Sequence, residues 1–259
     1  MDYRSTQLFT NSPLIKISKK VDKWFGACRH GNFYEPELIG NFYRKLLERK
    51  AQNENNSIFF LDIGTNTGSF CFLTAIDDNL TCFCYEPNKE VYDILLESVS
   101  LNDLNDRVRC FNLGLWAENT QKVLKIPTDI VDSGLSTLGD YPTRFIYDGK
   151  DGEYKTVVLD CQSLDNHLMS LGVENKVDAI KIDTEGAEFF ILKGAPQILS
   201  NHKPLLLLEY HNPNTQQFGY DREEIKDYLF DIGYNHFTIV GTGGDLMAEF
   251  IEDLDDENL

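Results

Sequence analysis

The chain has 259 residues, 42% hydrophobic and 12% aromatic, with 17 Phe and 12 Tyr; disorder and a small disulfide-stapled fold are excluded for the whole. Twenty-four basic against 42 acidic residues give a net charge of −18, which repels nucleic-acid backbones and anionic membrane surfaces and favours a small or neutral ligand. At about 150 residues per domain, the length fits one elaborated α/β domain.

Taken from the N-terminus, residues 1–56 read as a helical extension. Within it, Pro13 to Ala51 carries Phe42, Tyr43, Leu46 and Leu47 at helical spacing. The opening residues lack an apolar signal core, and no run approaches the ~18 apolar residues of a membrane span. The expected location is therefore the cytoplasm. The six cysteines, at 28, 71, 82, 84, 110 and 161, form no CxxC or zinc-spaced set. Most lie among apolar residues, as in Cys82-Phe83-Cys84, which reads as small buried side chains in a reducing compartment.

Residues 57–252 read as the main domain. Ile58–Ile63 is an apolar strand, Ser69–Ile76 a short helix and Thr81–Tyr85 a strand. Asn88–Leu101 is a helix, and Val108–Leu113 a further strand. Continuous apolar strands separated by helices predict a parallel, doubly wound sheet covered on both faces. An insertion at about 116–161 interrupts the rhythm with glycines and prolines. Two strands, near Val123–Ile126 and Tyr154–Leu159, are expected in it, joined by a long loop of the kind that forms lids and binding walls. Its Ser133–Leu138 run and the aromatic stretch Tyr141–Tyr147 are candidates for an acceptor wall. The alternation resumes with Val177–Asp183 (strand), Ala187–Leu199 (helix), Pro204–Tyr210 (strand) and Arg222–Asp231 (helix). Two last strands, Tyr234–Val240 and Leu246–Ile251, flank Gly241-Thr242-Gly243-Gly244, a hairpin signal. Residues 253–259 form an acidic tail that serves solubility.

The chemistry concentrates at strand ends. Phe60 to Gly68 is a strand running into a turn bounded by Gly64 and Gly68, where the backbone can adopt positive φ and approach a ligand beside free helix N–H donors. The spacing is neither GxGxxG nor a P-loop. Asp62 suits a ligand with a cationic group, such as the ammonium of an amino-acid moiety; S-adenosylmethionine has one. Glu86, between Tyr85 and Pro87 at the next strand end, stands where doubly wound nucleotide folds accept hydrogen bonds from ribose hydroxyls. Lys181 and Asp183 occupy the C-terminal end of a later strand, at the ligand-binding edge, and Glu185 begins the following helix, where a carboxylate favours the dipole.

Together with Lys181–Glu188, Leu192-Lys193-Gly194-Ala195 and Pro204–His211, these segments resemble the FkbM family of S-adenosylmethionine-dependent methyltransferases. The family's Asp-x-Gly-x-Asn-x-Gly turn is similar to Asp62–Gly68, its Leu-Asp-x-x-Leu segment to Leu159–Leu164, and an element upstream of the turn to Gly31–Pro36. The resemblance spans about Gly31 to His211. It implies a Rossmann-like class I methyltransferase fold: a mostly parallel sheet with a C-terminal antiparallel hairpin and a helical N-terminal extension. The implied activity is O-methyl transfer to a hydroxyl of a sugar or natural-product scaffold. By the same resemblance, Asp62, Gly64, Asn66 and Gly68, with Thr65 in the place of a smaller residue, line the methionine end of the cofactor. Glu86, followed by Pro87, meets the ribose, and Asn112, Leu113 and Gly114 lie near the adenine.

Transfer from a sulfonium is an in-line displacement that needs an aligned acceptor and a group to receive its proton. Asp183, alone or with a second carboxylate, is the first candidate; Glu209 and His211 follow, and Lys181 joins the catalytic set. Asp183, Glu209 and Glu185 also offer hard oxygen ligands to Mg²⁺, and no spacing separates a metal from plain acid–base chemistry. The expected partner is a carbohydrate or small-molecule acceptor, with no nucleic acid and no membrane span. The rival readings are methylation of a small natural product, a non-catalytic binding module on the same fold, and a nicotinamide oxidoreductase, which the missing GxGxxG disfavours.

Overall fold

The computed structural model describes residues 2–20, 33, 35–128, 135–139, 146–147, 150–151, 154–173 and 176–252. Cys28, Gly31, Ser133, Gly134, Tyr141 and the acidic tail at 253–259 lie outside them.

Among the described residues, the extension opens with a strand pair and its α-helix comes in the second part. β1 (Tyr3–Thr6) and β2 (Ile15–Ser18) form an antiparallel pair, and α1 (Pro36–Gln52) begins at Pro36. The cause is period: Ile15 and Ile17 alternate inward and are buried, a two-residue repeat that a helix cannot satisfy. Proline, with no N–H to lose in a first turn, then starts the helix. Phe42 and Leu46 of α1 pack in the core as expected, whereas Leu47 is exposed.

β3 (Ile58–Ile63) is buried along its whole length and is followed by a 3-10 turn at Cys71–Ala75 where a short helix is expected. β4 (Leu80–Tyr85), α2 (Lys89–Leu101) and β5 (Val108–Phe111) come next. Asn88 caps α2, its side chain accepting from Glu90 N. The chain leaves this sheet earlier than expected: β6 (Gly114–Leu115) joins a separate three-stranded sheet with β7 (Thr120–Pro127) and β10 (Tyr154–Gln162). β7 and β10 are the two strands expected in the insertion, paired antiparallel from Tyr154↔Pro127. Between them, β8 (Ile146–Tyr147) and β9 (Lys150–Asp151) make a minimal antiparallel pair.

α3 (Leu164–Ser170), capped by Ser163, precedes β11 (Ala179–Ile182). The long helix expected next is two, α4 (Glu188–Lys193) and α5 (Pro196–His202), because Gly194 ends the first and Pro196 opens the second. β12 (Leu205–Leu208), α6 (Asn212–Gln216), α7 (Glu223–Asp231), β13 (His236–Val240) and β14 (Asp245–Glu249) complete the chain.

The main sheet has the order β13-β14-β12-β11-β3-β4-β5. β12, β11, β3, β4 and β5 run parallel, and β14 is antiparallel to its neighbours on both sides. Two apolar layers cover it. Phe60, with α1, α2 and the 3-10 turn, lies in one, and Leu61, with α3, α4, α5 and α7, in the other. The strand order reverses between β3 and β11, so the loops after these two strands part and leave a crevice at their C-terminal ends, the ligand position of open α/β sheets.

Candidate active site

A cavity of about 510 Å³ occupies that crevice, within the range of small-molecule sites. Its floor is the turn after β3. Gly64 N and Thr65 N both donate to Tyr85 O, at 3.0 and 3.1 Å, folding the turn over the end of β4. Gly64 has φ +70°, and a Cβ there would lie 1.9 Å from Asp183 O, so only glycine allows the ends of β3 and β11 to meet.

Glu86 forms the second wall. It is buried, and its carboxylate accepts from Asn66 N at 3.0 Å and Asn88 N at 2.8 Å. Burial pushes its carboxyl up to about 7, against the pull of those two N–H donors. Each carboxylate oxygen keeps acceptor capacity for a ligand hydroxyl. Pro87, Leu113, Gly114 and Leu115 continue this side, and Leu135, Ser136 and Leu138 of the insertion complete it.

The opposite wall is acidic. Asp183, Glu185, Glu209, Tyr210 and His211 line it, together with Glu35 and Asp245. Asp183 has a half-exposed side chain (48%). Burial pushes Asp245 up to about 7, aided by the charges of Asp183 and Glu35; Glu35 is raised by burial and then by Asp183. Beneath them lies Lys181, whose Nζ donates to Gly64 O at 2.8 Å and stands 3.4 Å from Asp62 and 3.5 Å from Asp183. Burial disfavours its charge, but Asp183 and Asp62 outweigh that and hold it above the usual lysine range. Lys181 is thus a fixed ammonium and unsuited to receive a proton.

Of the sequence-predicted residues, the cavity gathers Gly64, Thr65, Asn66, Glu86, Pro87, Leu113, Gly114, Lys181, Asp183, Glu209 and His211. Asp62, Gly68 and Asn112 do not line it. Asp62 is wholly buried (0%), its Oδ2 accepting from Cys71 N at 3.1 Å. The ammonium it meets is that of Lys181, and desolvation raises its carboxyl despite that neighbour. Gly68, at φ +104°, leaves room for Phe72 and Leu95, which a Cβ would approach to 2.7 and 2.9 Å. Asn112 braces the wall from outside, donating to Glu86 O at 2.8 Å and Pro87 O at 2.9 Å.

Glu35 and Asp245 fall outside the strand-end pattern, because one belongs to the extension and the other to the hairpin. Their signals are present: Glu35 precedes the helix-opening Pro36, and Asp245 closes the glycine-rich hairpin turn. Glu188, the last residue of the Lys181–Glu188 segment, clamps the wall. Its Oε1 accepts from Thr184 N, Thr184 Oγ1 and Gly186 N at 2.7, 2.8 and 3.3 Å. Among the described residues, Asp183 and Glu209 join no group of three potential metal ligands. Among the described residues such a group comprises Asp62, Cys71 and Cys84, fully buried behind the turn.

The family model of the FkbM methyltransferase domain matches residues 62–235. No curated protein matches the sequence. Among solved structures, the chain is similar to a methyltransferase FkbM from Methylobacillus flagellatus, at 16% identity and TM-score 0.49, covering 82% of this chain and 53% of that one. An O-methyltransferase from Bacillus cereus, in complex with S-adenosylhomocysteine, is similar at 14% identity and TM-score 0.45, covering 82% and 80%. A precorrin-6y C5,15-methyltransferase from Geobacter metallireducens is similar at 11% and 0.46, covering 90% and 96%. The chain thus spans about half the length of the FkbM structure.

Proposed function

The chain belongs to the FkbM methyltransferase family and has the class I methyltransferase fold, and from that premise we propose that it is an S-adenosylmethionine-dependent O-methyltransferase acting on a hydroxyl of a sugar or glycan. One observation carries the reading: a single cavity has the glycine turn and Glu86 on one wall and the Asp183–Glu209–His211 group on the other. When bound, the cofactor supplies an electrophilic methyl carbon.

The residues of the chain do the rest. Glu86 accepts the ribose hydroxyls, the Gly64–Asn66 backbone faces the methionine end, and Leu113 to Leu115 form the apolar surround of the base. Asp62 acts from behind the wall: with Gly64 O it fixes Lys181, which in turn holds Asp183. The acceptor hydroxyl aligns against the acidic wall and gives up its proton there as its oxygen bonds to carbon. Asp183, exposed to the cavity, is the first candidate to receive it, with Glu209 and His211 beside it.

The charge of that wall shapes the acceptor. Among the described residues, Glu35, Asp183, Glu185, Glu209 and Asp245 line the cavity together with the Lys181 ammonium, which favours a neutral hydroxyl compound over a phosphorylated or carboxylated one. A neutral natural product remains the alternative acceptor. No helix among the described residues is long and apolar enough to cross a membrane, and the five described cysteines are free, which supports a cytoplasmic, reducing location. The test is tritiated-methyl transfer from labelled S-adenosylmethionine to neutral methyl glycosides and to their phosphorylated counterparts. Incorporation into the neutral set is expected; transfer to the phosphorylated set alone overturns the acceptor reading.

A further inference from the structure

Three buried donors meet behind the turn after β3. Asp62 lies on β3, Cys84 is its register partner on β4, and Cys71 opens the 3-10 turn that covers them. All three are 0% exposed, and one donor atom from each lies within 4.8 Å of the others. The spacing of the cysteines along the chain shows no zinc set; the parallel register and the turn assemble one in space.

The hydrogen bonds leave this group incomplete. Asp62 Oδ2 accepts from Cys71 N at 3.1 Å. Its Oδ1, equally buried, has no hydrogen bond among the described residues and stands 3.4 Å from Lys181 Nζ. That oxygen keeps lone pairs for a further ligand. The sulfurs engage weak partners: Cys71 Sγ lies 3.4 Å from Gly68 O, and Cys84 Sγ faces Cys82 Sγ at 3.6 Å.

The donor types select the ion. Two thiolates disfavour Mg²⁺ and Ca²⁺, which take oxygen, and suit zinc, whose bonds of about 2.0–2.3 Å put tetrahedral donors about 3.3–3.8 Å apart. Charge balances as well. Burial raises both thiols above the usual cysteine range, so without an ion they are neutral, and Lys181 offsets Asp62. A zinc ion that displaces the two thiol protons to solvent brings as much positive charge as leaves. The buried cluster is neutral before and after.

We propose that Asp62, Cys71 and Cys84 bind one zinc ion, a structural site that pins the 3-10 turn to β3 and β4 behind the Gly64–Gly68 turn. The site lies outside the cavity and goes beyond the methyl-transfer reading.

Cobalt(II) and zinc titrations of the full, reduced chain test it. One equivalent of cobalt is expected to bind with sulfur-to-cobalt charge-transfer absorption, and to be displaced by zinc but not by magnesium. Calorimetry in buffers of different ionisation enthalpy should count about two protons released per zinc. Cys71→Ser and Cys84→Ser should each lower the absorption by about half, since one of two sulfur ligands is lost. Each should also weaken zinc binding by more than the roughly 10- to 100-fold that follows loss of a residue merely supporting a ligand. Cys161→Ser, in the other apolar layer, should change neither. The wild-type titrations carry the test where a serine variant does not fold. Absence of cobalt uptake, uptake without the absorption, or affinity retained in both serine variants overturns the proposal. None of these readouts needs a methyl donor, so failure here and failure of the methyl-transfer reading are separate results.

Discussion

Replacing Lys181 by Met keeps the unbranched stem that lies against Phe70, where Nζ stands 5.3 Å from the ring centre, and deletes only the ammonium. Asp62 then keeps one hydrogen bond, from Cys71 N at 3.1 Å, with no counter-charge at the oxygen that now lies 3.4 Å from Nζ. Removing one partner of a buried ion pair costs about 3–5 kcal/mol, because the remaining charge is stranded in an apolar interior. For a domain of this size that corresponds to a fall in Tm of about 10 °C. The loss has a pH signature. Burial already raises the Asp62 carboxyl, and without Lys181 it takes up a proton more readily, so the deficit shrinks at pH 5 and is largest at pH 8. Urea unfolding of the wild type, Lys181→Met and Lys181→Met/Asp62→Asn at both values is the assay. The double variant is expected to recover part of the loss, since it removes the stranded charge. A Lys181→Met variant within about 1 kcal/mol of the wild type at pH 8, well below the cost of a stranded buried charge, and a double variant no better than the single, would refute the reasoning.

Two further outcomes follow from the buried carboxyls. Glu86 and Glu188 stand at about 7 in the folded chain, against an ordinary 4.5; their stabilising protonated forms are fully present below pH 4.5 and are lost as pH rises through 7. Stability by chemical denaturation should therefore fall between pH 5 and pH 8 by on the order of 1–3 kcal/mol per group, and a stability that rises over this range contradicts the assignment. In Glu86→Gln, one of the backbone donors, Asn66 N or Asn88 N, meets an amide NH₂ instead of an oxygen. The charge offered to the ribose is also gone. Calorimetry should show S-adenosylhomocysteine binding weakened by about 10- to 100-fold; unchanged affinity removes Glu86 from the site.

The parallel sheet was legible because its strands are near-continuous apolar runs, as in Ile58–Ile63 and Leu205–Leu208, which is how strands buried on both faces read. The lining of the candidate site was legible where glycine and carboxylate coincide at a strand end, as at Gly64 and Glu86. What escaped was fixed by contacts distant in sequence. β2 lies on α2 through Lys16 N to Asn102 and Ser18 N to Ser98, and a helical reading of Pro13–Ala51 has no access to those partners. The break between α4 and α5 was locally visible, in Gly194-Ala195-Pro196, but the apolar residues on either side continue one helical period and masked it. Asp62 shows the limit of position alone. The strand end predicts a carboxylate near the ligand, while the side chain turns inward to Lys181, a partner 119 positions away that only β11–β3 pairing supplies. Glu35 and Asp245 reach the cavity from opposite ends of the chain for the same reason.

The central claim is that the crevice at the C-terminal ends of β3 and β11 receives the nucleoside of a methyl donor. Crystals grown with S-adenosylhomocysteine test it most directly. The account predicts density over Gly64–Asn66 with both ribose hydroxyls on the Glu86 carboxylate and the sulfur directed at Asp183. A crevice left empty at millimolar ligand, or one that takes a pyrophosphate-bearing dinucleotide in its place, would contradict it.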